Sequence, residues 1–147
     1  MAEQTLAEKV VAAMLRDDSC TPWLGMEVES VGPGSAVVTM SVVGSMVNGH
    51  NTAHGGMVFS LADSAFAFAC NSHNRRTVAS GCSIEYLKPA MLGDTLRAIA
   101  TEISCGSRLG LYDVTVTNQR GETVALFRGK SYRVGESLLD EGASNQE

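Results

Sequence analysis

Apolar and polar positions follow two rhythms along this chain, and the changes between them mark out its elements. Residues 4–16 place Leu6, Val10, Ala13 and Met14 at helical spacing, which predicts a short amphipathic helix serving as a lid or packing element. Residues 23–31 read as a first strand and Gly32-Pro33-Gly34 as a turn. Residues 35–43 read as a second strand with Ala36, Val38, Met40 and Val42 on its buried face. The polar, glycine-bearing stretch 48–56 is a loop. Residues 57–71 return to helical spacing, with Leu61, Ala65 and Phe68 on one face and Val58, Ala62, Phe66 and Ala69 on others. Apolar residues on all sides predict a helix wrapped by protein everywhere. Four extended runs follow at 78–87, 94–104, 109–118 and 123–134, separated by turn-forming residues, and the polar, acidic tail 135–147 is expected to be disordered.

One apolar helix between an initial hairpin and four further strands predicts an α+β fold, a curved antiparallel sheet of about six strands rolled around a long central helix. A single domain over residues 1–134 accounts for the pattern. The sheet's open edges and outer face then need cover, which predicts a homo-oligomer.

Composition narrows the function. A chain of 147 residues is one ordinary domain, and 44% hydrophobic with 18% charged residues describes a packed one. A net charge of -5 argues against a nucleic-acid partner, because that binding needs Lys and Arg to replace counterions along phosphates. The start alternates charge with short apolar clusters, unlike a secretory signal, and the longest apolar stretch, 57–70, is too short to span a bilayer. Cys20, Cys70, Cys82 and Cys105 form no Cys-x-x-Cys pair, a pattern that predicts four reduced thiols in a cytoplasmic protein.

Within 57–70 only Asp63 carries charge. A carboxylate in such surroundings costs several kcal/mol unless partnered. Two readings stand: a general base or nucleophile tuned by partly dry surroundings, or an acid facing a watery edge or hydrogen-bonding a loop. Just upstream, His54-Gly55-Gly56 opens the helix, and bare amides there suit a developing oxyanion; a simple loop-to-helix turn is the plainer reading. Gly55 and Asp63 are eight positions apart, roughly 12 Å along one helix, too far to touch one carbonyl. If both act on one carbon, the amide comes from one subunit and the carboxylate from another.

His50 and His54 stand four apart but lack a third ligand and a helical face, so no metal is expected there. Asn48 and His54 are instead candidates for orienting substrate or water, with His50 buttressing the loop and His73 on the surface. No Gly-x-Ser-x-Gly elbow, phosphate loop or dinucleotide fingerprint occurs, and Cys70, Cys82 and Cys105 read as core or sheet residues. Lys88, Arg97, Arg108, Arg128, Lys130 and Arg133 are either phosphate contacts or an ordinary solvated face. Arg108, beside Gly106 and Ser107, is the strongest phosphate candidate because a glycine-bearing loop adds backbone donors.

The segments Asn48-Gly49-His50, His54-Gly55-Gly56, 59–63, 65–67 and 69–72, with Tyr112-Asp113-Val114, Asn118-Gln119 and 124–131, resemble the signature of the phenylacetic-acid-degradation thioesterases, a hotdog-fold family. The resemblance runs over residues 8–134. It implies hydrolysis of phenylacetyl-type, particularly ring-hydroxylated, acyl-CoA thioesters to free acid and coenzyme A, with Asp63 as base or nucleophile. It also implies Gly55 as the amide that polarises the carbonyl, and Asn48 and His54 as positioning residues in the subunit that supplies Gly55. Ser64 stands where relatives commonly carry Thr, which keeps a hydroxyl beside the substrate. By the same resemblance coenzyme A runs along Tyr86 to Pro89, including Lys88, and past Ser107 and Arg108. No cofactor is expected beyond the coenzyme A of the substrate, and the assembly expected is a homotetramer of two dimers. A non-catalytic acyl-CoA binding module and a hydroxyacyl-thioester dehydratase are the competing functions, the latter needing a His such as His54 beside an acid.

Overall fold

The computed structural model describes residues 2–139. Helix α1 (Ala2–Arg16) and a one-turn helix α2 (Cys20–Trp23) precede strands β1 (Glu27–Gly32) and β2 (Ser35–Ser41). A 3-10 turn (Gly44–Met46) leads to the long helix α3 (Gly55–Asn71), and strands β3 (Thr77–Tyr86), β4 (Thr95–Cys105), β5 (Leu109–Thr117) and β6 (Thr123–Arg133) complete the fold. The strands form one antiparallel sheet in the order β1-β2-β4-β5-β6-β3, with α3 packed against one face of it. This is the hotdog arrangement.

Four sequence expectations are corrected. Residues 23–31 are not one strand: Asp18 accepts hydrogen bonds from the Thr21 amide and hydroxyl at 3.0 and 2.6 Å, which turns 20–23 into a helical turn and leaves Trp23 81% exposed. The helix α3 starts at Gly55 rather than 57, because the glycines that read as loop occupy its first turn. Consecutive strands with no crossover helix between them are expected to pair as antiparallel neighbours, yet β3 crosses to the far edge and pairs with β6, while β4 joins β2. Residues 135–139 are held in place: the Glu136 carbonyl accepts from the Arg76 amide, and Asn74 Oδ1 accepts from the amides of Leu138 and Leu139 at 3.0 Å each. The rest of the expected tail, from 140 onward, lies outside the described residues.

Period-two burial carries the core. Ala36, Val38 and Met40 of β2, Leu96, Ala98 and Ala100 of β4, and Tyr112, Val114 and Val116 of β5 all point at α3, which answers with Val58, Leu61, Ala62, Ala65, Phe66, Phe68 and Ala69. Phe66 is the keystone of this contact, packing on Tyr112 and Phe127 with ring centroids 5.6 and 5.8 Å apart. Its ring lies flat against Gly129, where an added Cβ would meet three ring atoms at 2.7–2.8 Å. Only glycine lets helix and sheet approach so closely.

The two sheet edges differ. At β1 the edge is dressed by α1, whose Gln4 side chain donates to the Val31 carbonyl at 2.7 Å. At β3 ten residues run along the margin, paired only with β6 and mostly exposed. A long bare edge of this kind is a template for pairing with another chain.

Candidate active site

The helix α3 is not covered on every side. Gly56 is exposed, and Ser60, Asp63, Ser64 and Ala67 are half-buried, forming an open stripe of small and polar residues down an otherwise buried helix. Ser60 and Ser64 turn their hydroxyls back onto the helix, donating to the carbonyls of Gly56 and Ser60 at 2.8 Å each. Asp63 has no such outlet. Its carboxylate accepts no hydrogen bond and meets no cation among the described residues, and burial alone holds its pKa above the ordinary carboxylate range. The edge-strand thiol of Cys82 is near enough to feel it: burial first, then the charge of Asp63, push that thiol up. The Asp63 side of the stripe therefore faces toward β3, the edge strand with which α3 is in contact.

At the other end of the stripe, His54 caps α3 with extended backbone (φ -56, ψ 139) and no side-chain cap. The Gly55 and Gly56 amides have no acceptor among the described residues, so the positive end of the helix dipole is bare. The Tyr86 hydroxyl donates to the Gly55 carbonyl at 2.8 Å, and its ring would lie 3.0 Å from a Cβ at Gly55. Beside these residues opens a cavity of about 310 Å³ lined by Gly55, Val58, Tyr86, Lys88, Pro89 and Val124. Lys88 is ion-paired with Glu122 at its rim.

The preceding loop is built on Asn48. Its Oδ1 accepts from the His50 amide at 2.9 Å, the Thr52 amide at 3.3 Å and the Thr52 hydroxyl at 2.9 Å, and Asn51 adopts φ 61 within the same turn. Asn48 thus shapes the loop that delivers Gly55. Both His50 and His54 are exposed. The His54 amide donates to Met46 O at 2.9 Å, fixing where the helix begins.

Within one protomer the sequence-derived residues fall into three places. Asn48, His54, Gly55, Tyr86 and Lys88 gather at the N-terminus of α3, while Asp63 and Ser64 sit two turns further on. Ser107 and Arg108 lie near the opposite helix end, where the Arg108 carbonyl accepts from Arg133 and the side chains line a recess with Cys70, His73 and Arg75. Tyr86 pairs with Ala125 and Thr77 with Arg133, so these ends are separated by eight residues of β6, roughly 27 Å. Phe66 and Phe68 are core residues; Phe59, half-buried, meets Phe127 edge-on with centroids 5.4 Å apart.

A family model described as the thioesterase superfamily matches residues 50–125, which take in α3, its bare amides and Asp63. The chain is 50% identical over 129 residues to the acyl-coenzyme A thioesterase PaaI of Escherichia coli K12, covering 88% of this chain and 92% of that one. The chain belongs to the thioesterase superfamily. The solved structure of E. coli PaaI, from the phenylacetic acid degradation operon, superposes on this thioesterase with a TM-score of 0.90 at 48% identity, covering 91% of this chain and 97% of that one. A Streptococcus mutans UA159 protein solved bound to acetyl CoA matches with a TM-score of 0.78 at 31% identity, covering 84% and 98%. The thioesterase has no helix, among its described residues, long and apolar enough to cross a membrane.

Proposed function

We propose that this thioesterase hydrolyses acyl-CoA thioesters in a site made by two protomers, with phenylacetyl-type and ring-hydroxylated phenylacetyl groups as its preferred acyl moieties. The observation that carries the reading is the unpartnered Asp63 carboxylate on the open stripe of α3, facing toward the edge strand β3. Pairing β3 with β3 of a second chain continues the sheet and sets two α3 helices side by side and antiparallel. The bare amide end of one helix then lies beside Asp63 of the other.

In this arrangement the thioester oxygen accepts from the Gly55 amide, and negative charge developing on it is stabilised by the helix end. Asp63 of the second protomer takes a proton from water as that water attacks the carbonyl carbon. The C–S bond breaks, and the departing thiolate of coenzyme A is protonated. Burial that raises the Asp63 pKa makes it a better base than an exposed carboxylate. Asn48 and His54, from the protomer that supplies Gly55, position substrate and water, and Ser64 lies beside the acyl group.

The separation of roughly 27 Å also favours coenzyme A contacts drawn from two chains. Antiparallel helices bring the Ser107–Arg108 end of one protomer next to Tyr86 and Lys88 of the other, so the substrate lies along Tyr86 and Lys88 with its phosphates at Arg108 and Ser107 across the interface. Arg108 makes no ion pair among the described residues and is free for such a contact. Two such dimers back to back form the tetramer, and the four cysteines, all free thiols, suit a cytoplasmic enzyme.

Free-thiol release from phenylacetyl-, hydroxyphenylacetyl-, benzoyl- and straight-chain CoA tests the function. Fastest turnover on the phenylacetyl pair is expected. Binding without thiol release points to a non-catalytic module, and an enoyl product from a hydroxyacyl thioester to a dehydratase. A single turnover in heavy-oxygen water with excess enzyme tests the role of Asp63: label confined to the acid product supports water attack, and label in the Asp63 carboxylate shows a covalent anhydride instead.

A further inference from the structure

The far end of α3, distant from Asp63 and Gly55 and beside the Ser107 and Arg108 proposed above as phosphate contacts, holds a cluster of side chains to which the hydrolysis assigns no role. His73 Nε2 lies 2.8 Å from Glu102 Oε1, and the Tyr112 hydroxyl donates to the same oxygen at 2.6 Å. The Cys105 thiol belongs to this group: one ligand atom each from His73, Glu102 and Cys105 all lie within 4.8 Å of one another.

Strand geometry alone does not put Glu102 and Cys105 together, because residues three apart on a regular strand face opposite ways. A β-bulge does. The pairing of β4 with β5 slips between Glu102 and Ser104, so that Glu102 opposes Tyr112 and Cys105 opposes Gly110. The extra residue, Ile103, is turned out to solvent, and both Glu102 and Cys105 land on the face that meets the end of α3. Gly110 leaves no side chain opposite Cys105; a Cβ there would meet Ser131 Oγ at 2.5 Å. A recess of about 20 Å³, lined by His73 and Cys105 among others, is room for one water-sized occupant.

We propose that His73, Glu102 and Cys105 form a binding site for a borderline divalent transition metal, zinc in the first instance, completed by one water. Imidazole, carboxylate and thiolate are the donor types that zinc takes, and a tetrahedral ion separates its ligand atoms by about 3.3–3.8 Å, which small side-chain rotations reach from the present cluster. Tyr112 holds one oxygen of Glu102, leaving the other for the ion. Binding displaces the thiol proton of Cys105 to solvent and replaces the direct contact between His73 and Glu102. Arg75 and Arg108, both exposed, line the same recess, while Arg133 is engaged by Glu136. Two uncompensated guanidinium groups oppose a dication, so donor softness, rather than net charge, selects the ion. The bound metal ties the end of α3 to β4 without touching Asp63 or Gly55.

Titration of the full-length protein, purified free of metal, with Co²⁺ tests the site. The expected result is a near-ultraviolet thiolate-to-cobalt charge-transfer band saturating at one ion per chain and erased by Zn²⁺, which binds such sites more tightly than Co²⁺. Cys105→Ser abolishes the band and His73→Ala weakens it, while Cys82→Ser and Asp63→Asn leave it intact. Circular dichroism verifies that each variant is folded. No band at stoichiometric cobalt, or a band that survives Cys105→Ser, overturns the proposal and leaves the proposed hydrolysis untouched.

Discussion

Replacing Gly55 by proline removes one atom group of interest, the amide hydrogen, from a position that tolerates proline. Gly55 is the first residue of α3, where an N–H has no helical partner and the fixed φ of proline suits the helix. The preceding His54, at φ -56 and ψ 139, already has the extended backbone that a following proline demands. The added Cβ meets Cζ and the hydroxyl oxygen of Tyr86 at 3.0 Å each, and Tyr86 is half exposed at a strand end, held there by its hydrogen bond to the Gly55 carbonyl, so a small shift of this side chain relieves the contact. Folding therefore survives, and the loss is catalytic: one missing oxyanion donor lowers kcat by about 100- to 1,000-fold, or about 2.7–4 kcal/mol. Gly55→Ala is the companion, since it brings the same Cβ against Tyr86 and keeps the N–H. Thiol-release kinetics on both variants, with melting temperatures alongside, separate amide from bulk. Equal losses in the two, or a proline variant that turns over normally, refute the role of the amide.

Three further outcomes follow. Asp63→Asn is expected to abolish turnover while stabilising the fold in a pH-dependent way. Burial raises the folded-state pKa of Asp63, so the native protein binds the proton more tightly than the unfolded chain, and wild type loses stability as pH rises through the unfolded and then the folded value. The gap in Tm between Asn variant and wild type should open across that acid window and level off above it; a gap that does not change with pH contradicts the burial of this carboxylate. Gly129→Ala forces a methyl into the Phe66 ring, which Tyr112 and Phe127 hold in place, at a cost of about 1–3 kcal/mol read by urea unfolding. Arg108→Gln should raise KM for an acyl-CoA but not for the same acyl group on pantetheine, which lacks the nucleotide; equal effects on both place the phosphates elsewhere.

Much of the fold is legible in the residues themselves. Alternating burial at Ala36, Val38 and Met40, and the apolar turns of 57–71, are local signals, and the structure repeats them. What the residues conceal is set by distant partners or by single side chains. The crossing of β3 to the far edge depends on α3 lying across the sheet, which no local pattern encodes. The turn at 20–23 hinges on Asp18 capping Thr21, a signal available in Asp18-Ser19-Cys20-Thr21-Pro22 and outweighed there by the strand-like residues after it. The open stripe on α3 was masked by Gly56, Ser60 and Ala67, which read as neutral in a hydrophobic count but are small enough for another helix to approach. Asp63 and Gly55 stood out because a lone charge among apolar residues and a paired glycine at a helix start are each anomalies of sequence. The joining of His73, Glu102 and Cys105 depends on a bulge, and a one-residue slip leaves no periodic trace.

Mixing two inactive variants is the sharpest test that one site draws on two chains. Asp63→Asn and Gly55→Pro chains, unfolded together and refolded at equal amounts, give hybrid dimers in which one site carries both lesions and the other carries neither. Random pairing makes half the dimers hybrids with one intact site of two, so activity should return to about a quarter of wild type from two nearly inactive parents. A mixture as inactive as its parents, with hybrid dimers verified by mass, places Gly55 and Asp63 in separate sites and contradicts the account.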